Sequence, residues 1–159
     1  MVRNLVITRL VYCNALLYGI TGELLKRLQL IQNSAARLVT GTARHAHITQ
    51  DLITLHWLPV KQRIVYKIIV VVYKALHGMA LVYISEMLVA YTPKRMLRSS
   101  SKLHLRELRS KCITFGGRSF ACCAPKLWNS LPSDVMASPT LDILKKRLKT
   151  YLFHLAYSA

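Results

Sequence analysis

The stretch Leu55–Gly78, LHWLPVKQRIVYKIIVVVYKALHG, is the most apolar long segment of the sequence, and both of its ends carry helix signals. Pro59 suits the first turn of a helix, because the N–H that proline lacks has no helical partner there. Gly78 suits the position just after a helix, where a left-handed residue is common. Apolar residues recur between them at helical spacing, at Ile64, Ile68, Val71, Val72 and Ala75. The segment therefore predicts a mostly buried helix over 60–77, with a strand through the β-branched run 68–72 as the alternative.

Similar patterns on both sides of this segment predict further long helices over 3–18, 23–40 and 139–156. In 23–40 the predicted buried face consists of Leu24, Leu28, Ile31, Ala35 and Leu38, and Gln32 belongs to the polar face. In 139–156 the predicted buried face consists of Leu141, Leu144, Leu148, Leu152 and Leu155.

Three shorter helices complete the predicted fold. They cover 50–55, 82–89 and a segment that begins at about Pro125, since a proline deep inside a helix would break it. Residues 90–114 show no helical pattern. The sequence as a whole therefore predicts a mostly α fold with a basic irregular loop or short strands in the middle.

The charge of the sequence is strongly unbalanced, with 23 Lys and Arg residues against 6 Asp and Glu residues and a formal net charge of +17. Self-repulsion at this level destabilises a compact protein unless a polyanion or an acidic neighbour offsets it. Hydrophobic residues make up 53% of the chain, so either the core is large or part of the surface packs against another domain. Nucleic acid is the leading partner class, and an anionic membrane surface is the second.

Basic residues are most concentrated in and beside residues 91–117, which contain a single acid, Glu107. We call residues 94–118 the basic arm. Its predicted nucleic-acid-binding residues are Lys94, Arg95, Arg98, Lys102, Arg106, Arg109, Lys111 and Arg118. Such side chains bind a nucleic-acid backbone without reading its sequence, because they replace the counterions of the phosphates. A solvated basic loop is the alternative interpretation.

The acidic residues are too scattered to predict an active site. They are Glu23, Asp51, Glu86, Glu107, Asp134 and Asp142, and no two are adjacent. Two-metal phosphoryl transfer requires clustered carboxylates. The glycine-rich phosphate-binding motifs are also absent from the sequence. We therefore expect no catalytic residue, no metal site, no cofactor and no small-molecule substrate, and the chain alone is not expected to be an enzyme.

Cysteine spacing and hydropathy favour an intracellular protein of the nucleus or cytoplasm. The cysteines Cys13, Cys112, Cys122 and Cys123 form no C-x-x-C pair, so free thiols in a reducing compartment are expected. His45 and His47 lie in a loop with no nearby acid or thiol and predict no metal site. No uncharged run is long enough to span a membrane, and no signal peptide is predicted.

Seven stretches resemble, in order and spacing, the reverse transcriptase of LINE-type (non-LTR, jockey-like) retrotransposons. They are LVYCNALLYGI at 10–20, LLKRLQLIQNSAARLVTGT at 24–42, HITQDLITLHWLPVKQRIVYKI at 47–68, YKALHG at 73–78, YISEMLVAYTPKRMLRSS at 83–100, FGGRSFACCAPKLWNSLP at 115–132 and LKKRLKTYLF at 144–153. The resemblance covers essentially the whole chain. It corresponds to the region after the catalytic palm, which is the thumb and the C-terminal portion of that polymerase.

The resemblance implies a thumb-like helical part at 1–90, a basic loop or short-strand segment at 91–117 and a C-terminal helical part at 118–159. It implies a non-catalytic fragment of an RNA-directed DNA polymerase that binds the RNA or DNA backbone, with the missing fingers and palm of the parent as a partner. The family's Asp-Asp motif has no counterpart here. Leu81 stands where family members often have Pro, and Gly117 where they often have an acid. A cationic amphipathic protein on a membrane surface and an inert product of a decayed element are the alternatives.

Overall fold

The computed structural model describes residues 8–92, 103–108 and 116–158, and these residues are mostly helical. The helices in chain order are the 3-10 helix η1 (Asn14–Leu17), α1 (Gly22–Thr40), α2 (Thr49–Thr54), α3 (Val60–Leu76), α4 (Val82–Glu86), the 3-10 helix η2 (Gly116–Arg118), α5 (Phe120–Asn129), α6 (Ser133–Met136) and α7 (Leu141–Tyr157). Within the described ranges, strand pairing is limited to one antiparallel bridge between Ala90 and Leu105. The prediction of a mostly α fold is confirmed.

The chain divides into two compact units. The first consists of the described residues up to Tyr66 together with those from Lys149 onward, and the second of residues from Lys67 to Leu148. Among the described residues, no helix is long and apolar enough to cross a membrane.

Helix α3 confirms the prediction for 60–77 and excludes the strand alternative. It begins directly after Pro59, whose carbonyl accepts the first helical hydrogen bond, from the Arg63 N–H at 3.0 Å. At its end, Gly78 adopts the left-handed conformation with φ 69°, and the Met79 N–H donates to the Lys74 carbonyl at 2.8 Å. This is the glycine-terminated helix end in which the following N–H groups bind the last helical carbonyls.

Helix α1 lies close to its predicted range, but its predicted buried face is only partly buried. Of that face, Ala35 is buried and Leu28 is half-buried. Leu24, Ile31 and Leu38 are exposed, whereas Gln32 is completely buried. The Gln32 Nε2 group donates to the Leu58 carbonyl at 2.9 Å. On the same side of the helix, the Gln29 Oε1 atom accepts from the Val60 N–H at 2.9 Å.

The amide side chains of α1 thus bind backbone groups at the start of α3. The first N–H groups of a helix have no partner inside it, and leaving a buried one unpaired is unfavourable. Gln29 supplies the acceptor for the first N–H of α3, and this requires the amides rather than the leucines of α1 to face inward.

The predicted helix over 3–18 is interrupted, and its residues 3–7 lie outside the described residues. Residues 8–11 are helical, but Cys13 has φ 49° and is followed by η1. A left-handed residue cannot continue a right-handed helix, so the predicted single helix is wrong.

Helix α5 begins at Phe120, five residues before the predicted start at Pro125. The Ser119 carbonyl accepts from the N–H groups of both Cys122 and Cys123, which closes the first turn ahead of the proline. The Pro125 ring is buried, and apolar burial offsets the hydrogen bond that proline cannot make. The short helix α6 was not predicted, while α2, α4 and α7 lie close to their predicted ranges.

Long-range hydrogen bonds hold each unit together from within. In the first unit, the Tyr157 hydroxyl donates to the Trp57 carbonyl at 2.6 Å, beside a buried cluster of Ala35, Ala36, Leu52 and Trp57. In the second unit, the buried Tyr73 hydroxyl donates to the Ser138 carbonyl at 2.9 Å. Of the leucines predicted to be buried on α7, three are buried, Leu141 is half-buried and Leu155 is exposed. The three buried ones are Leu144, Leu148 and Leu152.

Candidate nucleic-acid interface

The structure describes two of the eight predicted nucleic-acid-binding residues, Arg106 and Arg118. Both side chains are exposed. Arg106 lies beside the antiparallel bridge, and Arg118 ends η2 just before α5. The other six, Lys94, Arg95, Arg98, Lys102, Arg109 and Lys111, lie outside the described residues.

A short antiparallel pairing brings the residues before and after 93–102 side by side. Ala90 pairs with Leu105. The Tyr91 N–H donates to the His104 carbonyl at 2.9 Å, and the Arg106 N–H donates to the Val89 carbonyl at 2.8 Å. Of the basic irregular loop or short strands predicted for the middle of the chain, the described residues 103–108 show an irregular segment with this isolated bridge.

Two neighbouring side chains of α5 attach this pairing to the second unit. The Asn129 amide binds both backbone groups of Leu105, accepting from its N–H at 2.9 Å and donating to its carbonyl at 2.8 Å. The Trp128 indole N–H donates to the Leu103 carbonyl at 2.7 Å. The Leu105 side chain is buried, so both polar and apolar contacts hold this segment.

Arg106 and Tyr91 face the same side of the bridge. Side chains alternate between the two faces of a paired strand, so burial of Leu105 turns its neighbour Arg106 outward. Tyr91 is 53% exposed. Among the described residues, both side chains line a cleft of about 510 Å³ together with Val89, Ala90 and Thr92. Arg118 does not line this cleft.

The cleft combines the two kinds of group that bind a nucleic acid without reading its sequence. A guanidinium offers several N–H donors to phosphate, and an exposed aromatic ring can stack on any base. The nearby acid Glu107 accepts a hydrogen bond from the Asn129 Nδ2 atom at 3.2 Å. Its carboxylate thus helps to hold α5 and the bridge segment together.

The sequence signals for Asn129 and Trp128 were weaker than those for the basic arm. Trp128 is completely buried. Its hydrogen bond to residue 103, and those of Asn129 to residue 105, span 24 or 25 positions. A Trp-Asn pair carries no periodicity that would indicate such a distant backbone partner.

Both cysteines of α5 lie inside the protein. Cys122 and Cys123 are buried, and Cys123 is enclosed most completely. Burial raises the pKa of the Cys123 thiol to about 11 from its ordinary 9.0. Because the thiolate is the reactive form, this thiol is unreactive near neutral pH.

Within the described ranges, no three His, Cys, Asp or Glu side chains are grouped so that they could hold a metal ion. Comparison of the chain with protein-family models, with curated proteins and with solved structures gave no match.

Proposed function

We propose that this chain is a non-catalytic part of a LINE-type reverse transcriptase and that it binds the RNA or DNA backbone through the basic arm. The observation that carries the proposal is the cleft in which Arg106 and Tyr91 share one face of the bridge. These two residues lie on either side of 93–102, which contains four of the predicted phosphate-binding residues.

The anchored bridge makes this cleft a better binding site than a free basic loop. Binding to a flexible segment loses affinity because the segment must become ordered. Here Asn129 and Trp128 already fix the backbone on which Arg106 stands. The Arg106 guanidinium is thus attached to an ordered backbone, and binding does not require that backbone to become ordered.

The membrane-surface alternative has less support from α7. A helix that lies on a membrane must turn its apolar face to the lipid. The apolar residues Leu144, Leu148 and Leu152 of α7 are buried inside the protein. That face is therefore not free to contact a membrane.

The proposal can be tested by fluorescence anisotropy, using the whole chain and a labelled single-stranded oligonucleotide of mixed sequence at several salt concentrations. Arg106→Gln should weaken binding and reduce the slope of log K against log salt by about 0.7, because one phosphate contact is lost. Tyr91→Leu should weaken binding about fivefold or more without changing the slope, because stacking rather than charge is lost.

Arg9→Gln and Tyr12→Leu are matched controls, since both original side chains are exposed and lie outside the second unit. Both controls should bind like the original chain. Equal losses in the controls and the cleft variants would contradict binding at the cleft.

A further inference from the structure

The outward side of α1 carries a row of exposed leucine and isoleucine side chains. Leu24, Ile31 and Leu38 follow one another at seven-residue intervals and are 48%, 52% and 74% exposed. Seven residues are close to two helical turns, so the three side chains lie along one line of the helix. Several large apolar side chains exposed on one line of a helix are typical of an interaction surface.

A groove at the C-terminal end of α1 continues this surface with both apolar and basic groups. Its volume is about 880 Å³, and its lining includes Leu30, Leu38, Arg37 and Arg44. Leu30 is 61% exposed. The Arg37 Nη2 group donates to the Ala46 carbonyl at 3.3 Å, which helps to hold its guanidinium beside the groove. We call this lining together with Leu24 and Ile31 the α1 surface.

The charges around the α1 surface select its partner. Residues 24–50 contain no Asp or Glu. They contain four basic residues, Lys26, Arg27, Arg37 and Arg44. A second copy of this chain would place these cations against one another, which is unfavourable. An acidic partner would instead match them.

The exposed leucines argue further for a protein partner. Nucleic-acid phosphates gain nothing from contact with leucine, and the α1 helix has no aromatic residue on which a base could stack. A flat lipid surface does not fill a groove formed by a helix and the loop after it. An amphipathic helix does, because its apolar residues at helical spacing enter such a groove while its charged residues contact the rim.

We infer that the α1 surface binds an acidic amphipathic helix of a partner protein. The partner's apolar side chains contact Leu30, Leu38 and Ile31. Its Glu or Asp side chains contact Arg37 and Arg44. This site consists of residues of the first unit, whereas the cleft of the proposed nucleic-acid interface consists of residues of the second.

The test uses the whole chain and fluorescein-labelled synthetic helical peptides. The probe has leucines at helical spacing and glutamates at the remaining outward positions. One control peptide has the same composition in scrambled order, and another has lysines in place of the glutamates. The ordered acidic peptide should bind at least about tenfold more tightly than either control, because only it matches both the leucines and the arginines.

Substitutions in the α1 surface locate the binding site. Leu30→Gln combined with Leu38→Gln should weaken binding of the acidic peptide by about tenfold or more, since two apolar contacts are lost. Arg44→Gln should weaken it and make it less sensitive to salt. Leu81→Gln is the matched control, because Leu81 is equally exposed but lies in the second unit, and it should leave binding unchanged. Circular dichroism spectra of all variants confirm that they remain folded.

Several outcomes would overturn the inference. Equal binding of the scrambled peptide would mean that net charge alone explains the affinity. Equal binding of the lysine peptide would mean that the arginines do not contact the partner's acidic side chains. Loss of the complex on addition of a single-stranded oligonucleotide, or α1-dependent binding of the chain to anionic phosphatidylserine vesicles with none to the peptide, would assign the surface to another partner. If the acidic peptide does not bind but the oligonucleotide does, the α1 inference is wrong and the proposed nucleic-acid interface is unaffected. The two proposals are therefore tested separately.

Discussion

The side chain of Asn129 replaces a neighbouring strand for Leu105, because its amide binds both the N–H and the carbonyl of that residue. In a sheet, the same two backbone groups would bind an adjacent strand. The bridge to Ala90 is thus stabilised on its other side by α5 rather than by a larger sheet.

We expect Asn129→Ala to release the bridge segment from α5. The substitution leaves two backbone groups of a buried residue without partners, which costs roughly 1–3 kcal/mol of unfolding free energy. Hydrogen exchange should accelerate at the amides of Leu105 and Arg106, and urea unfolding should show the loss of stability. Ser130→Ala removes a neighbouring hydrogen bond that is exposed, and it should change neither measurement appreciably. Unchanged exchange at Leu105 in Asn129→Ala would show that the amide does not hold the segment.

A second prediction concerns the start of α3. Gln29→Ala should lower the free energy of unfolding by about 1 kcal/mol, as does the loss of a helix cap, because the Val60 N–H loses its acceptor. Gln29→Glu keeps an acceptor oxygen and places a negative charge near the helix N-terminus, so it should retain most of the stability. Urea unfolding of both variants provides the measurement. Equal destabilisation by Ala and Glu would indicate that packing, and not the acceptor, explains the effect.

These two residues also show why the sequence predicts some parts of the fold and not others. The limits of α3 follow from local signals, since Pro59 and Gly78 act on the backbone at their own positions. The orientation of α1 depends on a partner 31 positions away, the Val60 N–H. Periodicity places leucines on the buried face by default, and no local signal shows that amides are needed there instead.

The candidate interface also has one part that the sequence predicts and one part that it does not. The basic arm stands out in the sequence because charge composition is a local property. The cleft beside Arg106 depends on a bridge of two residues and on α5, which is distant in sequence. A single bridge has too few residues for an alternating pattern, so the sequence predicts short strands but not their pairing.

The buried thiol of Cys123 gives a prediction for alkaline pH. Burial raises its pKa to about 11, above the ordinary value of 9.0, so the unfolded chain loses this proton at lower pH than the folded chain. The stability that the buried neutral thiol contributes is therefore present below pH 9.0 and is lost as the pH rises toward 11. Burial also raises the pKa of Tyr157, to about 12, but this effect is common to the proteins compared.

Urea unfolding at about pH 8 and about pH 10.5 measures this effect. Cys123→Ala should lose less stability between the two values than the original chain, because the titrating group is gone. Any cavity left by the substitution is present at both values and cancels in the comparison. Cys13→Ala removes an exposed thiol and should follow the original chain. The prediction fails if Cys123→Ala and the original chain lose the same amount.

The scattered acidic residues predict that the chain alone does not polymerise DNA. Purified chain incubated with template, primer, nucleotides and Mg²⁺ should incorporate no nucleotide, because no carboxylate cluster is present in the sequence to hold two metal ions. An active reverse transcriptase in the same assay is the positive control. Metal-dependent incorporation that copurifies with the chain would contradict the prediction.

The final prediction concerns the part of the basic arm that precedes the bridge residue Leu105. Replacing Lys94, Arg95 and Arg98 together by Ala should lower the slope of log K against log salt by about two to three units for duplex DNA, since each phosphate contact contributes roughly 0.9. Anisotropy titrations with a labelled duplex over a range of salt concentrations provide the slopes.

A triple replacement on α7, Lys145, Lys146 and Lys149 by Ala, removes the same number of charges away from the arm. If the arm is the contact surface, this variant should keep the original slope, because charges that meet no phosphate release no counterions from the nucleic acid. Equal changes in the two triple variants would mean that any basic face of a protein with a net charge of +17 binds equally well, and the assignment to the arm would be wrong. Affinity that does not depend on salt in the original chain would exclude binding through the phosphate backbone.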